Sequence, residues 1–415
     1  MGLSRRVHYA WAVLVAGTLV VLGALGLARF GYTLVLPAMQ AGLRLDNARA
    51  GGLATANLVG YLAFSLLGGA LATRYGPRVV VAAGLTVAAL GMLLTGAAAG
   101  FAAAAGWRML TGIGSGASNV PVMGLMSAWF APRRRGLATG IAVTGSSLGL
   151  IALGPTVPWL LAHYGDDGWR VCWRLFAAVT GGFAVLAALV LRNRPAALNL
   201  RPLGEPGGGA PAAAPSARGA SWGAVYRSGR VWWAGFVYAA FGFSYIIYMT
   251  FFAEHLIAEG GYAPSAAGRL FMVMGWVSLL CGFWGLISDA IGRRAAVAIV
   301  YLLQAAAFGL FAFWPAPAGF VLSALLFGLT AWSIPAIMAA ACGDMLGARL
   351  APAALGFITL FFGIGQAAGP GVAGLLADAS HSLRPAFALA AGVALVGALG
   401  SLLLRTRQAA DVGPR

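Results

Sequence analysis

Arg29 is a fixed positive charge about 20 residues into the first long apolar run, or ~30 Å along a helix. A charge so placed is costly in an apolar medium and marks a functional candidate. Tyr32 follows at helical spacing, with Leu25 and Leu36 extending the same stripe. In a later run, Phe241, Tyr245, Tyr248, Phe252 and His255 recur at intervals of 4, 3, 4 and 3 residues, a single face of a helix. An arginine with tyrosines suits capture of a small carboxylate that carries an apolar body. The competing readings are an arginine that snorkels outward or pairs with a carbonyl, and tyrosines that only pack. Arg108, Thr111, Ser115 and Asn119 form a second polar stripe, followed by Pro121. Asn119 can meet a ligand oxygen or, equally, a neighbouring helix. Trp332, Ser333, Pro335 and Gln366 are weaker candidates further along.

The acidic residues are few. All ten (Asp46, Asp166, Asp167, Glu205, Glu254, Glu259, Asp289, Asp344, Asp378 and Asp411) lie in loops or near the ends of apolar runs. Glu254 and His255 come nearest to a deep position, so they are the choice for handling protons if a proton is coupled. The four histidines (8, 163, 255 and 381) are scattered, and no Ser/His/Asp set converges in the sequence. No metal-ligand spacing occurs, and Cys172, Cys281 and Cys342 read as small residues within apolar runs. Enzymatic chemistry, a metal and a cofactor are therefore not expected.

These residues sit in a chain of 415 that is 60% hydrophobic and 9% charged, with a mean hydropathy of +0.86. Soluble domains carry about 25% charged residues. Apolar runs long enough to cross a bilayer lie near 9–38, 52–72, 79–99, 104–129, 136–163, 171–191, 231–256, 265–287, 294–314, 318–343, 353–377 and 385–405. The expected fold is an all-α membrane protein of twelve helices. Residues 1–191 form one six-helix half and 231–405 the other, joined by a linker at 192–230 and followed by a tail at 406–415. Residues 203–220 of the linker are rich in Gly, Ala and Pro and cannot build a core. Trp222, Tyr226, Trp232 and Trp233 then mark a membrane interface. The first run is too long for a cleavable signal. The net charge of +17 comes entirely from arginine against those ten acids, with no lysine. Most of these arginines fall on alternate inter-helix segments, which places both termini in the cytoplasm of a multi-pass inner-membrane protein. Their dispersal argues against a nucleic-acid surface.

One motif occurs twice: GALATRYGPR at 69–78 and GLISDAIGRR at 285–294, an offset of 285 − 69 = 216 residues. The same offset carries Tyr32 onto Tyr248, Gly112 onto Gly328, Gly140 onto Gly356 and Gly149 onto Gly365. Doubled six-helix units of this kind are the usual architecture of secondary transporters. Gly69 and Gly285 are expected to admit a close helix, and Gly76 and Gly292 to make the tight turn. Asp289 can pair with Arg293 or Arg294, or with a helix N-terminus, and so act as a latch; Arg78 holds the corresponding place in the first copy.

The second copy, with Gly285, Asp289, Gly292, Arg293 and Arg294, resembles the signature loop of the major facilitator superfamily. The first copy departs from it, with Thr73 where an Asp stands in the pattern. Arg108 with Gly112, Gly114 and Gly116 is similar to a second motif of that superfamily. The stretch Gly365, Gly369, Pro370 and Gly374 resembles a Gly-Pro kink found in many exchangers. The resemblance implies the major facilitator fold and alternating access, with the first, fourth, seventh and tenth spans lining the site, the doubled loops closing the inner face, and Arg108 serving gating or proton movement. GSSLG at 145–149 is similar to the monocarboxylate and oxalate/formate branch, although Trp276, Ser278 and Gly282 occupy the region of that branch's Asp/Arg pair. The expected function is transport of a small organic anion by proton symport or anion exchange, by a monomer in contact with lipid. The alternative is proton-coupled efflux of lipophilic compounds, for which a buried carboxylate is missing.

Overall fold

The computed structural model describes residues 8–205 and 223–404, except the side chains of residues 66, 223, 224 and 347–349. The Pro/Gly-rich part of the linker from 206, Trp222, and the arginines at 5, 6, 218, 405, 407 and 415 lie outside the described residues. So does the side chain of Arg349.

Helices dominate because the sequence supplies apolar runs whose backbone groups must bond internally in a membrane. In chain order they are α1 (Ala10–Leu43), α2 (Asn47–Tyr75), α3 (Pro77–Thr95), α4 (Phe101–Trp129), α5 (Pro132–Tyr164) and α6 (Gly168–Val190). They continue as α7 (Gly229–Ala258), α8 (Pro264–Ile291), α9 (Arg293–Phe313), α10 (Pro317–Leu346), α11 (Leu350–Ser380) and α12 (Arg384–Leu402). The twelve-helix expectation matches this architecture. The helices overrun the apolar runs at several ends, since their polar first and last turns remain helical. Proline at the first helical turn starts α3, α5, α8 and α10, where a missing N–H removes nothing. Arg44 and His381 close α1 and α11 in the left-handed conformation. Among the described residues the one bridge outside helices pairs Phe130 with Leu203, tying the segment after α6 to the end of α4.

Two units pack internally. Unit 1 comprises Met1–Arg44 and Ala56–Ala210; unit 2 comprises Leu45–Thr55 and Pro211–Arg415. In unit 1, α3 lies between α4 and α6, and α5 packs along α1. Gly149 makes that last approach possible: a Cβ there would stand 2.5 Å from the Gly26 Cα, and one on Gly145 would stand 2.2 Å from the Thr18 carbonyl. The glycines of GSSLG thus set the distance between α1 and α5.

In unit 2, α7 packs on α11, and α9 on α12. Gly365 and Gly369 let α11 approach the α7 carbonyls of Ala239 and Phe243, and the chain stays helical through Pro370. The first turns of α2 also belong to this unit. Asp378 of α11 accepts hydrogen bonds from the Asn47 and Ala48 amides at 3.0 and 2.7 Å, and the Thr55 hydroxyl donates to the Ala367 carbonyl at 2.8 Å.

Candidate functional site

Arg29 sits on a distortion of α1. Residues Leu22–Phe30 form a π-helical stretch between two α-helical segments, a rare geometry that recurs at functional sites. The Arg29 side chain is buried, with its guanidinium carbon 4.1 Å from the centre of the Tyr61 ring. Its Nε and Nη2 have no hydrogen-bond partner among the described residues, and no carboxylate pairs with it there. Tyr61 is the middle residue of α2, and its hydroxyl accepts from Asn119 Nδ2 at 2.9 Å. Asn119 Oδ1 is buried without a hydrogen-bond partner among the described residues. Unit 1 therefore gathers a cation, an aromatic platform and an open amide oxygen.

A second buried arginine supports this arrangement. Arg108 donates to the Ala28 carbonyl at 2.7 Å, one residue before Arg29 and within the π stretch. Its guanidinium lies between the rings of Tyr32 and Trp173, at 4.8 and 4.9 Å from their centres. The Arg108 carbonyl in turn accepts from Asn57 of α2 at 3.1 Å. Arg108 thus holds the widened turn that presents Arg29. The expected single stripe of Arg29 and Tyr32 is modified: Tyr32 carries Arg108, because the π turn changes the register before α-helix resumes at Gly31.

In unit 2, the stripe expected on α7 divides. Tyr245 accepts a short hydrogen bond from Gln366 of α11 and forms a cluster of near-parallel rings with Phe241 and Phe362. Tyr248 instead bonds the Ser323 hydroxyl at 2.8 Å and is enclosed by Phe252, Phe308, Phe311, Phe327 and Phe387. Phe252 stacks on Phe311. The 4-3 spacing failed to keep these residues together because α7 is buried on more than one side, against α11 and against α9 and α12. His255 is fully buried, beyond solvent contact. Its Nε2 is 3.0 Å from the Phe311 carbonyl, and its Nδ1 is 3.5 Å from Glu259, whose carboxylate accepts from the Leu383 amide and the Ser382 hydroxyl at the start of α12. Glu254 keeps one buried carboxylate oxygen without a hydrogen-bond partner among the described residues.

The doubled loops differ in what they grip. Arg293 pairs with Asp289, bonds the Ser288 hydroxyl at 2.6 Å and reaches Asp344 of α10 at 3.0 Å. In the first copy, Arg78 donates through Nε to the Ala188 carbonyl at the end of α6, and its amide bonds Asn193. Gly76 and Gly292 adopt φ of +86° and +89°, as the turn requires. Gly69 and Gly285 differ from expectation: a Cβ on either would meet nothing within 4 Å among the described residues, so they mediate no close approach there. Arg294, exposed at the start of α9, makes no ion pair among the described residues.

Sequence reasoning missed Tyr61, Asp344 and Glu259. Only Tyr61 carried a readable signal, a lone polar aromatic at the centre of a span.

Comparison with known proteins identifies the family. A family model described as "Uncharacterised MFS-type transporter YbfB" matches residues 21–402. Monocarboxylate transporter 13 of Bos taurus is 28% identical over 355 residues, covering 80% of this chain and 75% of that protein. The hexuronate transporter of Bacillus subtilis (strain 168) is 23% identical over 392 residues, with 90% and 89% covered. A probable sulfoacetate transporter of Cupriavidus necator is 25% identical over 400 residues, with 91% and 89% covered. Among solved structures, a bacterial homologue of the human lysosomal transporter Spinster matches with a TM-score of 0.78 at 16% identity, over 97% of this chain and 98% of that one. The likeness in shape extends to the fold alone. The family match spans nearly the whole chain, and the protein is a member of the major facilitator superfamily, a membrane transporter and not an enzyme.

Proposed function

We propose that the protein carries a small organic anion and that Arg29 is its anchor. One observation carries the reading: a buried guanidinium with two unpartnered nitrogens and no carboxylate beside it. A charge in that state is stable only with a counter-ion that comes and goes. Tyr61 steadies the guanidinium and Asn119 offers an acceptor to a donor group on the same ligand. In unit 2, the Tyr245–Gln366 pair is the polar candidate, while Tyr248 and Phe252 serve packing. Arg108 positions the π turn, and Arg293 with Asp289 and Asp344 forms the latch. The named substrates of the relatives (monocarboxylate, hexuronate and sulfoacetate) are all anions, which supports the reading. Two buried arginines in unit 1 oppose entry of a lipophilic cation.

The test is thermal stabilisation of the purified chain by a panel of small carboxylates and lipophilic cations. A ligand at 100 times its Kd stabilises the folded state by about 2.7 kcal/mol. A carboxylate should raise the melting point of the wild type and leave that of Arg29→Gln unchanged. Equal stabilisation of both proteins would remove Arg29 from the site, and a response to cations alone would overturn the anion assignment.

A further inference from the structure

At the arginine-rich end of unit 1, a groove opens between α1 and α5. It is open to solvent, holds a volume of about 70 Å³ and is lined by Trp11, Leu14, Phe130, Arg134, Leu137 and Ile141, with Leu203 closing one side. Leu14 and Phe130 form its buried floor. Trp11 and Leu137 form its walls and are 41% and 65% exposed, so apolar area there awaits an apolar neighbour. The α5 residues in the lining, Arg134, Leu137, Ala138 and Ile141, stand at i, i+3, i+4 and i+7. They form one stripe with a cation at its first turn and aliphatic side chains running about 10 Å along the helix from it.

The polarity of the groove defines its occupant. Arg133, Arg134 and Arg135 are consecutive and exposed, and none is in an ion pair among the described residues. Arg135 bonds the Phe130 carbonyl at 3.1 Å, which directs that side chain back onto the chain. Arg134 lies along the backbone of Gly204, whose absent Cβ leaves room for its Cδ and Nε. The segment carrying Gly204 is held in place by the Phe130–Leu203 bridge. Trp11, at the first turn of α1, has the residue type and position of an interfacial belt.

We propose that this groove binds one anionic phospholipid, its headgroup phosphate on Arg134 and Arg133 and an acyl chain along Leu137 and Ile141. The ligand must join a negative head to a hydrocarbon tail, and it must arrive from the membrane into which Leu137 already projects. A free phosphate lacks the tail, and a zwitterionic lipid carries beside its phosphate an ammonium that the clustered arginines repel.

The experiment is native mass spectrometry of the full chain in detergent, with phosphatidylglycerol and phosphatidylcholine of identical acyl chains. Wild type should retain phosphatidylglycerol in preference. Each of Arg134→Gln and Arg133→Gln should weaken that retention about fivefold, the equivalent of one basic residue at an anionic surface. Leu137→Ser should weaken both lipids, because it removes tail contact and no charge. Arg227→Gln, a basic residue of unit 2, is the control and should change nothing. Equal retention of the two lipids by wild type overturns the proposal. So does a loss at Arg227→Gln matching that at Arg134→Gln, which would report general attraction to a basic surface and no site. Inorganic phosphate displacing the lipid as well as phosphatidylglycerol does would also overturn it, since the tail would then add nothing.

Discussion

At the scale of single residues, the difference between Arg29 and Arg108 shows how burial alone misleads. Both are buried and both keep an unpartnered Nε among the described residues, but Arg108 is bonded to a carbonyl and lies by two aromatic rings, while Arg29 lies over Tyr61 and keeps its Nη2 open as well. The sequence shows two arginines in apolar runs and gives no means of telling the structural one from the receptive one. Tyr61 makes the distinction testable. Tyr61→Ala removes a cation–π contact of about 0.5–2 kcal/mol and should weaken anion binding several-fold. Tyr61→Phe keeps the ring and frees Asn119, so its effect should be smaller; titration calorimetry of the two variants checks the order. An equal loss in both would assign the role to the hydroxyl. His255 supplies a second residue-level prediction. One ring nitrogen is committed to the Phe311 carbonyl and the other faces Glu259 across 3.5 Å, so this side chain can hold or release a proton beside a fixed carboxylate. Uptake into proteoliposomes should differ between pH 5.5 and 7.5 in wild type, and His255→Gln should lose that difference.

At the scale of elements, helix number and the doubled loop were legible because apolar length and a repeated motif are one-dimensional signals. The facing of α7 was not. Helical spacing places Tyr245, Tyr248 and Phe252 on one arc, but a helix buried on several sides uses one arc for two neighbours. The π stretch of α1 was equally hidden, since Gly23 and Gly26 within Leu22–Phe30 signal close helix packing as readily as a change of helix type. Close packing of α5 on that stretch depends on Gly149, so Gly149→Val should push the helices apart and abolish anion binding together with a fall in melting point. The cap of α2 is simpler. Asp378→Ala leaves the Asn47 and Ala48 amides without their acceptor and should cost about 1 kcal/mol, read as a melting point lower by a few degrees. A melting point unchanged in Asp378→Ala would show that water replaces the carboxylate at no cost.

At the scale of the whole molecule, the placement of charge constrains how the carrier can cycle. A transporter must return its site across the membrane either empty or loaded. Empty, the site of unit 1 holds a guanidinium whose Nε and Nη2 have no partner among the described residues. Moving such a group through an apolar barrier is opposed by several kcal/mol, and a proton cannot relieve it, because arginine is already protonated. On the proposed anion reading, a bound carboxylate would neutralise the charge and fill both open nitrogens, so the loaded form would cross the lower barrier. Each 1.36 kcal/mol of that difference is tenfold in rate. Exchange of internal for external anion should therefore outpace net uptake by tenfold or more. The measurement is uptake of labelled substrate into proteoliposomes that are either empty or preloaded with the unlabelled anion. Preloading should accelerate entry in wild type. Equal rates in loaded and empty vesicles would mean that another group pairs with Arg29 during the return.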